Sequence, residues 1–410
     1  MPERMRGLIY HKARVSTGGE KECPICANKA LQFLMDSVST PIHPGLLWHK
    51  KEDALSVPMG DVQLAFCPDC GHTFNALFNS DLLNYNTWFE NSLHSCSRFQ
   101  SPNRPEADRL IERYGINDKE IFEIHHGASE LSLLLCELAN NQAVIYQPDM
   151  YETPGGRNST QQVTYIIKPL SGENPHIHAD LICCQNIIER LSNPRIFIEL
   201  LRGSISYVNE TVGYFEVINA EISFKNQRLW DMNYAQCSFY SPFSLRFLFE
   251  NSGFRILSLR ELAEGKILAL DVSLALQQNP IETIHQQTDL EGITRSVENF
   301  KEKTEQSRIY WSDLFRQYAT SAKRVVLWGC NERGVIAINA LKIQDKIQMV
   351  VDGDFAKVDM FVPGTGHRIH SLGQLPLFKP DVILISQPGR ENEIRQIIGG
   401  MNIQPEILAL

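Results

Sequence analysis

The stretch that most constrains this chain is Ile121–Leu131, IFEIHHGASEL, followed by Val144–Pro148, VIYQP. An apolar run, a turn around one glycine, a helical span and a second apolar run spell the opening βαβ unit of a nucleotide-binding sheet. In such a unit loop glycines let a ligand approach the backbone, and an acid ending the second strand bonds ribose hydroxyls. Here only Gly127 remains of the usual glycines, His125, His126 and Ser129 fill neighbouring loop positions, and Gln147 stands where the acid would be. Further β-rich runs, Val163–Ile167, Asp180–Cys184 and Gly213–Val217, alternate with helical spans at Ile187–Leu191 and Arg195–Arg202. That alternation predicts an α/β fold with a parallel, doubly wound sheet. A turn stretch at Asp231–Pro242 and a helix at Ser244–Asn251 precede two runs, Arg255–Arg260 and Ile267–Leu274, expected to close the sheet with antiparallel strands.

Upstream, Cys23-Pro-Ile-Cys26 and Cys67-Pro-Asp-Cys70 are separated by 40 residues. Each CxxC turn brings two thiolates to one ion, and two such turns complete a tetrahedron. Free thiols and a redox pair are the alternatives, but a redox CxxC opens a helix after a strand, which neither pair clearly does. Four thiolates leave no open position, so a structural zinc is expected, with His72 as a spare ligand candidate. His125, His126, His176 and His178 could suggest a second metal, but loop histidines are usually solvated.

The 410 residues suggest several domains. A net charge of −9 argues against a nucleic-acid or anionic-membrane partner. No apolar run reaches the roughly 18 residues of a membrane span. The first residues lack the apolar core of a secretory signal. Two CxxC pairs among ten cysteines read as a reduced, metal-binding, cytoplasmic protein. Tyr85–Phe99 is aromatic-rich, a packing helix or a lid, and contains His94; Asn103–Tyr114 reads as a helix. From Thr288 on, Val297, Phe300, Trp311, Leu314 and Tyr318 form a helical stripe. A second βαβ unit follows, with Arg324–Gly329, the turn Gly329–Gly334 and Lys346–Asp352; Asp381–Ser386 and Glu406–Leu410 add strands.

Taken in order, the CxxC pairs, Glu90–His94 (ENSLH), the nucleotide-binding sheet, DLICC, YFEV and Cys237–Phe254 (CSFYSPFSLRFLFENSGF) carry a resemblance. The chain resembles, over essentially its whole length, the zinc-containing, S-adenosylmethionine-dependent C-methyltransferases that act on deoxysugar nucleotides. The resemblance implies an N-terminal zinc module (1–80), a seven-stranded class I methyltransferase-type domain (81–275), a helical connector (276–320) and a Rossmann-like C-terminal substrate or docking domain (321–410). It further implies a cofactor cradle of Glu123, Gly127, Glu130, Gln147 and Asp180, and a substrate side that includes His94, Asp352 and the turn Phe361–Gly366.

The sequence also departs from the family. Its EIGxGxGE loop is EIHHGASE here, its HVLEH segment is Asn186–Arg190, and its Tyr-Glu-His trio becomes Tyr234-Ala235-Gln236. Glutamine takes no proton at neutral pH, so proton abstraction beside a ketone loses about 10²–10⁴-fold. Two readings follow. One is a diverged methyltransferase in which Tyr234 and Gln236 orient a sugar-nucleotide or other small-molecule acceptor. The other is an inactive relative that serves as partner or scaffold of an intact methyltransferase.

Overall fold

The computed structural model describes residues 21–83, 92–94, 102–125, 130–147, 162–167, 177–205, 211–226, 229–274 and 283–410. The expectations placed on His126, Gly127, Ser129, His176, Glu90 and most of Tyr85–Phe99 lie outside these residues.

The N-terminal part is built of short strands: β1 (Gln32–Phe33), β2 (Val38–Pro41), β3 (Leu46–Trp48), then helix α1 (Lys51–Leu55), β4 (Met59–Val62), β5 (Leu64–Phe66), β6 (Thr73–Asn75) and β7 (Ser92–His94). Gln63 separates β4 from β5, and its N–H donates to Asn75 Oδ1 at 2.9 Å. Strands β2 and β4 pair antiparallel, as do β3 and β7.

Helix α2 (Asn103–Tyr114) ends at Gly115, whose left-handed φ of 65° suits a residue without Cβ. Then come β8 (Glu120–Ile124), α3 (Leu131–Ala139), β9 (Gln142–Gln147), β10 (Val163–Ile167), β11 (Leu181–Gln185), α4 (Pro194–Ser204) and β12 (Val212–Ile218). Helix α5 (Ala220–Lys225), β13 (Ser238–Phe239), α6 (Pro242–Asn251), β14 (Phe254–Leu262) and β15 (Ile267–Leu274) complete this part. The expected helix at Ile187–Leu191 is only a short 3-10 turn, Ile188–Arg190. Seven strands form one sheet in the order β10-β9-β8-β11-β12-β15-β14, with β15 antiparallel to both neighbours. Strand β11 is buried along its whole length because both faces are covered. On one face Leu110, Leu131 and Leu135 pack on Ile121, Leu181 and Tyr214. On the other, Leu245, Leu248 and Phe249 pack on Ile182, Phe215 and Val217, joined by Cys23, Ile25 and Cys67. Helix α6 is set by Pro242 and a reciprocal Ser241–Ser244 cap. Strand β13 leaves this part to pair with β6, extending the N-terminal sheet to the order β1-β5-β6-β13.

The 38-residue α7 (Thr283–Thr320) leads into a second sheet. Its stripe is inward as expected, with Val297, Phe300, Trp311 and Tyr318 buried. The second sheet contains β16 (Val325–Trp328), α8 (Glu332–Ala340), β17 (Met349–Asp352), β18 (Ile369–Ser371), α9 (Leu375–Phe378), β19 (Val382–Ile385), α10 (Glu391–Gly399) and β20 (Glu406–Ala409). Its order is β18-β17-β16-β19-β20, all parallel. One core runs from Leu34, Leu47 and Phe66 through Val297 and Phe300 to Val325 and Leu384, so the N-terminal strands, α7 and this sheet share their interior.

Candidate functional site

In an open α/β sheet a ligand binds outside the carboxyl ends of the strands, where the strand order reverses. In the seven-stranded sheet that point lies between β8 and β11, since β9 and β10 extend one way and β12 the other. Three side chains converge on this edge. Gln185, the last residue of β11 and only 6% exposed, donates from Nε2 to Asn103 Oδ1 at 3.0 Å. Asn103, which begins α2, donates from Nδ2 to Glu130 Oε2 at 2.8 Å, and Glu130 immediately precedes α3. Asn186, just past β11, takes a left-handed φ of 55° and donates its N–H to Glu216 O. Glu123 is fully buried one residue before the end of β8, opposite Cys183 of β11. Burial, with a smaller push from Glu123, raises the Cys136 thiol to about 11. Gln147 closes β9 at the same edge of the sheet. Asn103 and Gln185 carry no site signal in the sequence, because one reads as an ordinary helix start and the other as a strand end.

These groups suit a polar ligand that offers both hydrogen-bond donors and acceptors, as S-adenosylmethionine does. Gln185 supplies amide donors and a carbonyl acceptor, and Glu130 supplies a carboxylate.

The four cysteines do meet. Their Sγ atoms all lie within 4.8 Å of one another, with Cys23–Cys70 at 3.5 Å and Cys26–Cys67 at 3.4 Å. Sulfurs bound about 2.3 Å from a zinc ion stand about 3.8 Å apart, so this set fits the metal. The two turns repeat one backbone pattern. Cys23 N–H donates to Asn28 O and Ala27 N–H to Cys23 O; Cys67 N–H donates to His72 O and Gly71 N–H to Cys67 O. The residue after each pair, Ala27 or Gly71, has positive φ. His72 does not join the four-cysteine cluster; it is fully buried between Phe74 and Tyr240.

Other expected site residues lie elsewhere. Asp180 precedes β11, at the amino edge of the sheet, where it accepts from Lys119 Nζ at 3.2 Å and Glu120 N–H at 3.0 Å. The five residues of β11 put it roughly 16 Å from the carboxyl edge, at about 3.3 Å per residue, so it does not border the crevice. His125 follows the end of β8 whereas His178 precedes β11, so these two sit at opposite edges and form no joint metal site. Tyr234 is fully buried; its hydroxyl accepts from Asn79 N–H at 2.8 Å and donates to Asn79 O at 3.1 Å. A Cβ on Gly60 would fall 2.3 Å from its ring. Tyr234 therefore acts as a core residue and is not presented to an acceptor. Gln236 is half-buried, with Nε2 3.5 Å from Ser238 O. Its loop borders α8: Asn233 Nδ2 lies 3.4 Å from Glu332 Oε2 and Arg333 Nε 4.0 Å from Asp231 Oδ1.

In the second sheet Asp352 ends β17, the place of a ribose-binding acid, yet protein groups already engage it. Oδ2 accepts from Cys330 N–H at 2.7 Å and Lys357 Nζ at 3.3 Å, and Oδ1 from Asp354 N–H at 2.9 Å. The Phe361–Gly366 turn is packed against the N-terminal part. Gly364 N–H donates to Ala54 O at 2.8 Å, and a Cβ there would meet Asn339 Oδ1 at 2.3 Å. His94 sits on β7, paired with Leu46 of β3. Strand β3 in turn bridges Phe361 through Trp48. This turn thus serves as a joint between parts and does not open onto a ligand.

The order of the seven strands, with one antiparallel member, is that of class I methyltransferases, and this is the class the fold defines. Residues 275–400 match the family described as C-methyltransferase C-terminal domain. A comparison with curated proteins finds no match. Solved structures similar to this chain include a SAM-dependent methyltransferase from Aquifex aeolicus, at 16% identity and TM-score 0.32 over 42% of this chain and 94% of that one. Another is the Burkholderia thailandensis 1,6-didemethyltoxoflavin-N1-methyltransferase, at 9% identity and TM-score 0.33 over 43% of this chain and 80% of that one. Human N-acetylserotonin methyltransferase matches at 11% identity and TM-score 0.34, over 42% of this chain and 52% of that one. No residue role is carried over from them. Among the described residues no helix is long and apolar enough to cross a membrane.

Proposed function

We propose that the chain is a diverged methyltransferase. It binds S-adenosylmethionine at the carboxyl edge of the seven-stranded sheet and transfers the methyl group to a small acceptor that needs no strong base. The observation that carries this reading is the convergence of Gln185, Asn103 and Glu130 at the β8–β11 switch point, in a chain whose residues 275–400 match a C-methyltransferase C-terminal domain. The cofactor supplies an electrophilic methyl group. Glu130, Gln185 and, from the sequence, Gly127 and Gln147 would hold it. Zinc in the four-cysteine cluster is structural in this reading, since four thiolates complete its coordination. Gln236 abstracts no proton, so an oxygen, nitrogen or already acidic carbon is the acceptor class, on a sugar nucleotide or other small molecule. In this reading the chain divides into the four parts expected from sequence, and β13 pairs with β6 of the N-terminal sheet.

One observation favours a second reading, an inactive partner of an intact methyltransferase: Tyr234 is committed to the core and Asp352 to its own loop. Calorimetric titration with S-adenosylmethionine and S-adenosylhomocysteine separates the two. Submillimolar binding, weakened by Gly127→Trp, supports the methyltransferase; no heat at millimolar ligand ends it.

A further inference from the structure

Resting on the crevice reading above, we propose that the Gln185–Asn103–Glu130 chain is a latch across the crevice, which an adenosyl ligand has to open. Three elements distant in sequence each send one polar side chain to the same edge: β11 sends Gln185, α2 sends Asn103 and α3 sends Glu130. Donation runs in one direction, from the Gln185 amide to Asn103 and from the Asn103 amide to the Glu130 carboxylate. Asn103 is therefore the middle member, and its loss breaks both bonds. The two ends differ in their access to water. Gln185 is buried, whereas Glu130 is exposed and Asn103 half-buried, so the latch opens from its Glu130 end.

Closed, the chain ties the first residues of α2 and α3 to the end of β11, beside the gap where the strand order reverses. A ligand seated in that gap displaces Asn103 and takes over the Gln185 amide, which is too buried to be left without a partner. The closed form competes with ligand, and apparent affinity falls by the fraction of molecules that are closed.

The test is calorimetric titration of the full chain with S-adenosylhomocysteine, comparing wild type with Asn103→Ala. Stopped-flow association is measured alongside, and thermal melting checks the fold. The latch predicts that Asn103→Ala binds about three- to tenfold more tightly, the equivalent of one net hydrogen bond, and associates faster. Equal or weaker binding by the variant overturns the latch while leaving the crevice reading intact. Absence of binding by both proteins overturns the crevice reading and the latch with it. Asn103→Ser, which keeps a hydroxyl at the helix start, replaces the alanine variant should that fail to fold.

Discussion

Tyr234 shows how a residue placed by its motif can be claimed by the core. Its hydroxyl exchanges two hydrogen bonds with Asn79, and its ring fills the space a Gly60 side chain would need. Tyr234→Phe leaves the Asn79 N–H and C=O without that partner and is expected to cost about 1–3 kcal/mol of stability in urea unfolding. Affinity for an adenosyl ligand should not change. A second buried group makes a pH prediction. Burial would raise the Glu106 carboxyl, but Arg260 and Arg109, at 2.7 and 2.9 Å, outweigh it and hold the group below the usual carboxylate range. Its stabilising effect is present above the unfolded value of about 4.3 and is lost as pH falls through the lowered folded value. Glu106→Gln should therefore lower the melting temperature at pH 7 by the equivalent of about 3 kcal/mol. The difference from wild type should shrink steadily below about pH 4.

At the scale of elements, the two cysteine turns and the β11 strand carry the account. Both turns share a backbone pattern in which the residue after the pair has positive φ, so Cys67→Ser removes a ligand from a preformed turn. Metal analysis should find about one zinc per chain in the wild type. Chelation or Cys67→Ser should unfold the N-terminal strands, read as loss of amide protection over β5 and β6. These turns were legible in the sequence because CxxC spacing imposes local geometry. The strands of the large sheet were legible because buried parallel strands are written as apolar runs. Helix α2 was read to its ends, Asn103–Tyr114, by Leu110, Ile111 and Tyr114 at helical spacing. What the sequence did not reveal depends on contacts between distant segments. Lys119 and Glu120, where β8 begins, occupy the Asp180 carboxylate at the amino edge. Gln185 belongs to the site only because α2 brings Asn103 to it. Short β13 was missed because two residues carry no periodicity, and only pairing with β6 makes them a strand.

Over the whole molecule, the N-terminal strands are wedged between the two sheets. Their cysteine turns join the core of the seven-stranded sheet, and Leu47 and Phe66 join that of the five-stranded one. Zinc loss should therefore destabilise the second sheet as well, seen as a lower melting temperature for β16 and β19 amides in temperature-dependent hydrogen exchange. Gly364 reinforces this joint, because its φ of 79° and the nearby Asn339 both disfavour a Cβ. Gly364→Ala should cost about 1–3 kcal/mol without touching the adenosyl crevice. The most direct measurement of the central claim is hydrogen–deuterium exchange of the full chain with and without millimolar S-adenosylhomocysteine. Ligand in the crevice should protect peptides spanning 121–131 and 181–187, leaving those of the five-stranded sheet unchanged. Unaltered exchange at both stretches would contradict it.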